Sequence, residues 1–306
     1  MRTIKLNNGI DMPQIGLGTF LIPKDQLSRT IAEAYELGYR NFDTAWRYHN
    51  EKEIAHALKE NGIKREEVFL TTKVNRDALY YGTYKVGKRS ILNLRNFRSI
   101  KSVIQESFDN LQTDYIDLFL LHWIYPLDLT LRMYEELTRL YHEGRIRAIG
   151  VCSSLPPHFA AYADVSDVVP AVNQFEISPL NTQKELIKYC QDKGIAVTAM
   201  STFSHFRSNE PRKEIIENKL IHEIAENHGK SAVQVVLRWM VQQGIVIIPK
   251  TWCHEHLIEN ISLDDFELSE KEMALIDSLD EGKFLNYDPC PWVKKMPKKY
   301  RNIGYK

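Results

Sequence analysis

Residues 41–51 read NFDTAWRYHNE and join a short apolar strand signal to a group of polar side chains. The strand signal ends at Asp43, a loop carries Tyr48, and Asn50-Glu51 open the next helix. An acid at the end of a parallel strand, with a phenol on the following loop, is how an α/β enzyme presents proton-transfer groups. The same residues also suit a turn that Asp43 caps, with Tyr48 as a half-buried aromatic. Both alternatives stay open for this stretch taken alone.

A short apolar run followed by an amphipathic helix recurs along the whole chain. Further strand signals lie at 68–73, 115–121, 145–151, 171–174, 195–200 and 245–250, and helical spacing follows them. Short buried strands that alternate with helices indicate a parallel sheet covered on both faces. About eight such units favour a closed (β/α)8 TIM barrel over an open sheet. No G-x-G-x-x-G follows a strand, so an open dinucleotide-binding sheet is the weaker alternative.

The ends of the chain add to this barrel without dividing it. Residues 3–15 predict a β-hairpin around the turn Asn7-Asn8-Gly9. At the other end, 269–279 predict an extra helix, and a Pro- and Lys-rich tail follows it. We find no linker and no internal repeat below the βα unit. The sequence therefore predicts a single barrel domain over 1–306.

Composition excludes several classes of function. Lys plus Arg equals Asp plus Glu, at 40 each, so nothing points to nucleic acid or to an anionic membrane as a partner. The start lacks an apolar signal region and no apolar run approaches 20 residues, so we expect a cytoplasmic protein. The four cysteines form no C-x-x-C pair, which is typical of reduced thiols. His254 and His256 flank Cys253 without a second ligand cluster, so no metal site is predicted.

Three consecutive predicted strands end on ionisable side chains, namely Asp43, Lys73 and His122, and Tyr48 lies on a loop between them. Strand ends of a parallel barrel converge at one mouth, so we expect these four side chains to meet. A buried ammonium at Lys73 needs a counter-ion, which Asp43 can supply. Lys73 would then lower the pKa of Tyr48 from about 10 and make it a general acid, with His122 donating to the same substrate oxygen. The alternative is a structural ion pair beside a core histidine.

Six motifs extend this pattern over nearly the whole chain. They are GLGTF at 16–20, FDTAWRYHNE at 42–51, TTKV at 71–74, DYIDLFLLHW at 114–123, VNQFE at 172–176 and IPK at 248–250. In this order and on these elements the sequence resembles the aldo-keto reductases. The resemblance implies NAD(P)H-dependent reduction of an aldehyde or ketone, with Tyr48 as the acid–base residue and Asp43, Lys73 and His122 as its partners. The implied partner is a small-molecule carbonyl substrate, on a monomer or weak oligomer.

The resemblance also implies a set of cofactor-binding residues, and NADPH as the cofactor. By matching position these are Thr19, Asp43, Ser153, Gln174, Met200, Ser201, Lys250, Thr251, His256, Glu259 and Asn260. Three positions depart from the family pattern: Cys152-Ser153 replaces Ser-Asn, Met200 replaces a stacking Tyr, and His256 replaces the Arg that binds the 2′-phosphate. Because His is mostly neutral at pH 7, we expect weaker and more pH-sensitive NADPH binding, with NADH as an alternative.

The substrate pocket and one insertion are the least determined parts. Phe20, Trp46, Trp123 and Trp292 are expected to line the mouth, by position and by the apolar character of ligand sites. The loop over 74–99 is long, basic and tyrosine-rich, and three interpretations stay open: a solvated loop, a lid or a subunit contact. Two other functions also stay open, namely a cofactor-binding regulatory or weakly active reductase-like protein and a Schiff-base aldolase through Lys73.

Overall fold

The protein is described by a computed structural model that covers residues 2–80, 84–86, 89–91, 98–124, 126–203, 210–301 and 303. The strands are β1 (Thr3–Lys5), β2 (Asp11–Pro13), β3 (Gly16–Gly18), β4 (Asn41–Asp43), β5 (Phe69–Val74), β6 (Tyr84–Val86), β7 (Arg89–Ile91), β8 (Ile116–Leu121), β9 (Ile146–Cys152), β10 (Val172–Glu176), β11 (Ala196–Met200) and β12 (Val246–Ile247).

Helices follow most of these strands. They are α1 (Lys24–Glu36), α2 (Glu51–Glu60), α3 (Ile100–Leu111), α4 (Leu127–His142), α5 (Pro156–Ala163), α6 (Lys184–Asp192), α7 (Glu210–Ile216), α8 (Lys219–His228), α9 (Ala232–Gln242), α10 (His254–Ile261), α11 (Glu270–Asp277), α12 (Cys290–Val293) and α13 (Lys298–Arg301). In the described part of the chain, no helix is both long and apolar enough to cross a membrane.

Eight parallel strands form the predicted barrel, in the order β12-β11-β10-β9-β8-β5-β4-β3. The two ends of this sheet meet, because Ile15 bridges Ile247 in parallel and the Gly18 N–H donates to the Pro249 carbonyl at 3.3 Å. A Cβ on Gly18 would lie 2.6 Å from the Ile248 carbonyl oxygen, so only glycine allows this approach. The strands feed their C-terminal ends into one mouth, which is where the polar strand-end residues collect.

Two apolar layers hold the barrel. The helices turn one face toward the strands, as α2 does with Ile54, Ala57 and Leu58 at helical spacing. Inside the barrel, Leu118 and Leu120 of β8 pack with apolar residues from other strands. The β1–β2 hairpin, predicted around Asn7-Asn8-Gly9, is confirmed, and its flanking Leu6 and Met12 belong to the same inner cluster. Burial of each large apolar side chain contributes roughly 1.5–3 kcal/mol.

The predicted elements are confirmed with ends that move by a few residues, and the last strand is the main correction. A strand over 245–250 was predicted, but β12 covers only Val246–Ile247. Pro249 has no N–H to give to a ladder, and its carbonyl instead accepts from Gly18. The helices α7, α12 and α13 were not predicted. In the 74–99 insertion β6 and β7 pair antiparallel, and much of the rest of it lies outside the described residues.

Candidate active site

A buried ion pair forms the floor of the barrel mouth. Asp43 closes β4, and Lys73 lies on the neighbouring strand β5, one residue before its end. The Lys73 Nζ lies 2.5 Å from Asp43 Oδ1 and 2.8 Å from the Thr44 carbonyl, and the lysine side chain is 0% exposed. Burial lowers the pKa of Lys73, but the attraction of Asp43, Tyr48 and Cys152 and the hydrogen bond to Asp43 together outweigh it, and the net pKa is raised. Lys73 is therefore a fixed cation rather than a free amine.

Tyr48 lies above this ion pair at the end of a short 3-10 helix, Trp46–Tyr48. The Lys73 Nζ is 5.1 Å from the centre of the Tyr48 ring. Burial raises the pKa of Tyr48, and although Lys73 lowers it in turn, the result is about 12. The expectation that Lys73 would bring this pKa below 10 was wrong, because loss of solvent outweighs one nearby cation. The phenol consequently keeps its proton at neutral pH.

His122 follows β8 and meets Tyr48 from the side. The two ring centres are 5.7 Å apart, with the rings edge to face. Burial lowers the pKa of His122 well below 6.5, with further lowering by Lys73 and Arg47, so the imidazole is neutral. Within the described part of the chain, its buried Nδ1 has no hydrogen-bond partner. A neutral imidazole can present an N–H to a substrate oxygen without adding a second buried charge.

A polar network, which the sequence did not reveal, holds the loop that carries Tyr48. The Asn50 amide donates to the Thr19 carbonyl at 3.0 Å, and its oxygen accepts from the Thr44 hydroxyl at 2.6 Å. Glu51, also buried, accepts from the Thr72 hydroxyl at 2.6 Å. Thr44, which follows β4, and Asn50, which precedes α2, thus fix both ends of the loop. The signal in the sequence is the pair Asn50-Glu51 itself, for which the pattern predicts only the start of a helix.

Backbone strain marks the same mouth. Five residues on loops after barrel strands have positive φ although they are not glycine: Leu21, His49, Ser153, Gln183 and Ser201. Such conformations cost about 1–3 kcal/mol each and concentrate at functional sites. Ser153 and Ser201, which directly follow β9 and β11, are two of the positions implied for cofactor binding. The strain and the resemblance therefore identify the same two loops.

The residues implied for the nicotinamide end lie beside the ion pair. The Gln174 amide nitrogen donates to Asp43 Oδ2 at 3.0 Å. Because a carboxylate can only accept, this contact fixes the orientation of the Gln174 amide and leaves its oxygen to face another donor. Ser153 is buried, and its backbone N–H donates to the backbone carbonyl of Gln174. Met200, at the end of β11, is half-buried, and Cys152 is a buried thiol whose pKa burial raises to about 12.

The residues implied for the adenosine end form a second group at the start of α10. Lys250 is exposed and its Nζ lies 4.7 Å from the centre of the Trp252 ring. The Thr251 hydroxyl is 3.5 Å from His256 Nδ1, and His256 is exposed. The last two members, Glu259 and Asn260, lie near the end of the same helix, half-buried and buried respectively. The geometry brings the implied residues together in two sets, one at the ion pair and one at α10.

The predicted pocket aromatics occupy three different environments. Phe20 lies 4.8 Å from Tyr48 by ring centres, and Trp123 stacks on His122 at 5.5 Å. Trp46 is buried, and its indole N–H donates to Glu106 on α3 at 2.8 Å. Trp292 is half-buried in the C-terminal tail. Their role as pocket walls stays a prediction; Phe20 lies against the Tyr48 ring and Trp123 against the His122 ring.

Comparison with known proteins finds similar chains over most of this sequence. The model of the Aldo/keto reductase family matches residues 14–281. The glyoxal reductase of Bacillus subtilis (strain 168) is 36% identical over 289 residues, 94% of this chain and 96% of that protein. The morphine 6-dehydrogenase of Pseudomonas putida is 38% identical over 294 residues, 94% of each. The solved structure of a Bombyx mori aldo-keto reductase in complex with NADP has a TM-score of 0.79 at 29% identity and covers 98% of each chain.

Proposed function

Because the chain belongs to the aldo/keto reductase family, we propose that it reduces an aldehyde or ketone reversibly to the alcohol with NADPH, and that Tyr48 donates the proton. The observation that carries the proposal is the fully buried Lys73–Asp43 pair directly below the Tyr48 ring. A buried charge pair is costly to maintain, and here it lies where a phenol and a neutral imidazole converge.

Each residue of the quartet has a separate task. The Tyr48 hydroxyl gives its proton to the carbonyl oxygen as negative charge develops there. The neutral His122 donates a hydrogen bond to the same oxygen. Lys73 compensates the charge left on Tyr48, and Asp43 keeps that ammonium in place at 2.5 Å. The nicotinamide supplies the hydride when it is bound.

The residues of the mouth suit such a cofactor. The Gln174 oxygen and the Ser153 hydroxyl can pair with a carboxamide, since the Gln174 nitrogen is already taken by Asp43. Lys250 at the start of α10 offers a cation for a phosphate, and His256 offers a second donor that is charged only when protonated. The Bombyx mori relative was solved with NADP, which supports NADPH here. NADH stays an alternative because His256 is not a permanent charge.

The other enzymatic interpretation is weaker. An aldolase needs a free amine on Lys73 to attack a carbonyl. The Lys73 ammonium is instead bound by Asp43 and the Thr44 carbonyl, with a raised pKa.

Among the relatives, glyoxal reductase is named for a small dicarbonyl and morphine 6-dehydrogenase for a polycyclic substrate. We therefore propose a small-molecule carbonyl and leave its size to experiment.

Three properties of the whole protein remain proposals. A single domain over 1–306 and a monomer or weak oligomer are retained from the sequence. A cytoplasmic location is supported by four cysteines that are all free thiols.

Oxidation of NADPH, followed at 340 nm with a panel of aldehydes, ketones and sugars, tests the proposed function. We expect turnover with at least one class of carbonyl and its loss in Tyr48→Phe, which keeps the ring and removes the proton. The matched control is Tyr141→Phe, a tyrosine on α4. No turnover with any substrate, combined with intact NADPH binding, would favour the cofactor-binding regulatory function instead.

A further inference from the structure

The C-terminal tail is tied to the loop that follows β10 before it reaches the barrel mouth. The Thr182 hydroxyl donates to Asp280, at the start of the tail. The backbone N–H groups of Glu281 and Lys283 then both donate to the Leu180 carbonyl, at 3.0 and 3.1 Å. These contacts bring the chain along the rim of the barrel toward the end of β10.

Glu176, the last residue of β10, holds the next part of the tail. Its carboxylate is buried and accepts the backbone N–H groups of three successive residues: Leu285, Asn286 at 2.7 Å and Tyr287 at 3.4 Å. Bonds from N–H groups to an ionised oxygen are among the stronger protein hydrogen bonds. A buried carboxylate with three backbone donors therefore fixes the path of the chain at 285–287.

This fixed path places two tail side chains against the site. The Tyr287 ring meets Trp123 edge to face, with centres 4.8 Å apart, and Trp123 in turn stacks on His122. The Asn286 amide donates to the Ser201 hydroxyl at 3.2 Å. Beyond this point the tail docks on α5, where the Tyr300 hydroxyl donates to Asp164 at 2.6 Å. The tail is thus anchored both before and after the segment 285–287.

Position along β10 explains why Glu176 can do this. Side chains two apart on a strand share a face, so Glu176 lies on the same face as Gln174, which reaches Asp43. The clamped segment 285–287 lies beyond residues 14–281, to which the family model extends. The wall beside His122 is therefore completed by a part of the chain that lies beyond the residues matched by the family model.

We infer that Glu176 is a positioning residue that clamps the tail at 285–287 and so fixes Tyr287 as a wall of the substrate pocket. The Trp123–Tyr287 pair offers aromatic surface, which suits flat apolar carbonyls such as aromatic aldehydes better than small dicarbonyls. The inference about substrate rests on the proposed function, whereas the clamp itself does not.

Hydrogen exchange tests the clamp without any cofactor. In Glu176→Gln, one acceptor oxygen becomes an NH2 group that faces backbone donors, so the amides of 285–287 should exchange at least about tenfold faster, with the barrel strands unchanged. Glu281→Gln is the matched control, because Glu281 is an exposed acid on the same tail whose side chain is not part of the clamp. Equal exchange at 285–287 in the wild type and Glu176→Gln would overturn the inference. If the Gln variant does not fold, Glu176→Asp gives the same comparison.

Kinetics test the consequence for substrate choice. Both Glu176→Gln and Tyr287→Ala should raise KM for benzaldehyde about fivefold to tenfold, while KM for glyoxal changes less than twofold. The double variant should show no further rise, because both changes remove the same wall. If Glu176→Gln lowers kcat/KM equally for both aldehydes while Tyr287→Ala leaves both values unchanged, Glu176 has only a structural role. Absence of all wild-type turnover would sink the proposed function but leave the exchange experiment to judge the clamp.

Discussion

Removal of one charge from the Lys73–Asp43 pair should cost far more stability than removal of both. At the 2.5 Å separation of Lys73 Nζ and Asp43 Oδ1, an effective dielectric constant of about 20 gives an attraction of about 7 kcal/mol. The transfer of each ion out of water offsets several kcal/mol of this, so the net contribution of the pair is small. Asp43→Asn leaves a 0%-exposed ammonium without a counter-ion and should lower the free energy of unfolding by about 3–5 kcal/mol.

The double variant Asp43→Asn/Lys73→Met is the decisive comparison. It removes both charges and keeps similar volumes, so its free energy of unfolding should return to within about 1.5 kcal/mol of the wild type. Urea unfolding followed by far-UV circular dichroism and tryptophan fluorescence measures this, provided that the two probes give one transition. Carbonyl reduction should be lost in the double variant, because the Lys73 charge that stabilises deprotonated Tyr48 is absent.

The sign of the pH dependence gives a further check on the same variants. The pKa of Lys73 is raised in the folded protein, so its contribution is fully present below the ordinary lysine value of about 10.4 and is lost only above it. The contribution of Lys73 to the stability of the wild type should therefore be constant near neutral pH. A loss below about 1 kcal/mol in Asp43→Asn, or a double variant that is less stable than either single one, would refute the reasoning.

Three further predictions test other parts of the site, one by a pH profile and two by substitution. With saturating NADPH, kcat/KM for reduction should stay constant from about pH 6 to 9. The reason is that burial raises the pKa of Tyr48 to about 12 and lowers the pKa of His122 well below 6.5. A rise or fall of kcat/KM between pH 6 and 8 would contradict this. His256→Arg should tighten NADPH about tenfold at pH 8 and leave NADH unchanged, measured by tryptophan fluorescence; equal effects on both cofactors would place the 2′-phosphate elsewhere. Asn50→Ala should lower the free energy of unfolding by about 2–3 kcal/mol, since three hydrogen bonds to Thr19 and Thr44 are lost, and a loss under about 0.5 kcal/mol in urea would exclude the network.

Much of the barrel follows from local rules, which is why the sequence predicts it. The strand signal at 115–121 is a near-continuous apolar run, the one at 68–73 begins with Val68-Phe69-Leu70, and β5 and β8 appear there with small shifts. Since parallel strands end at one mouth, Lys73 and His122 had to converge with Asp43 once the barrel was assumed. The resulting distances agree with a single site.

The pKa of Tyr48 was beyond the reach of the same reasoning. A sequence shows which charges can be neighbours, and Lys73 is indeed beside Tyr48. It does not show how much water the folded chain removes, and that removal is the larger effect on this phenol. The consequence favours reduction, because a phenol that keeps its proton is ready to donate it, with Lys73 acting on the charge that remains.

The contacts of Glu176 show most clearly what the sequence alone does not predict. Alternation along β10 places it on the face of Gln174, so a polar role at the mouth could be read from the motif. Its partners, however, lie 109 to 111 residues later in the tail, and no periodicity links the two segments. A carboxylate that is buried at the end of a strand needs donors, and here they come from the backbone N–H groups of residues with unrelated side chains. The identity of those side chains is therefore free to vary while the clamp is kept, so Tyr287 can be exchanged to change the pocket wall without losing the contact that holds it.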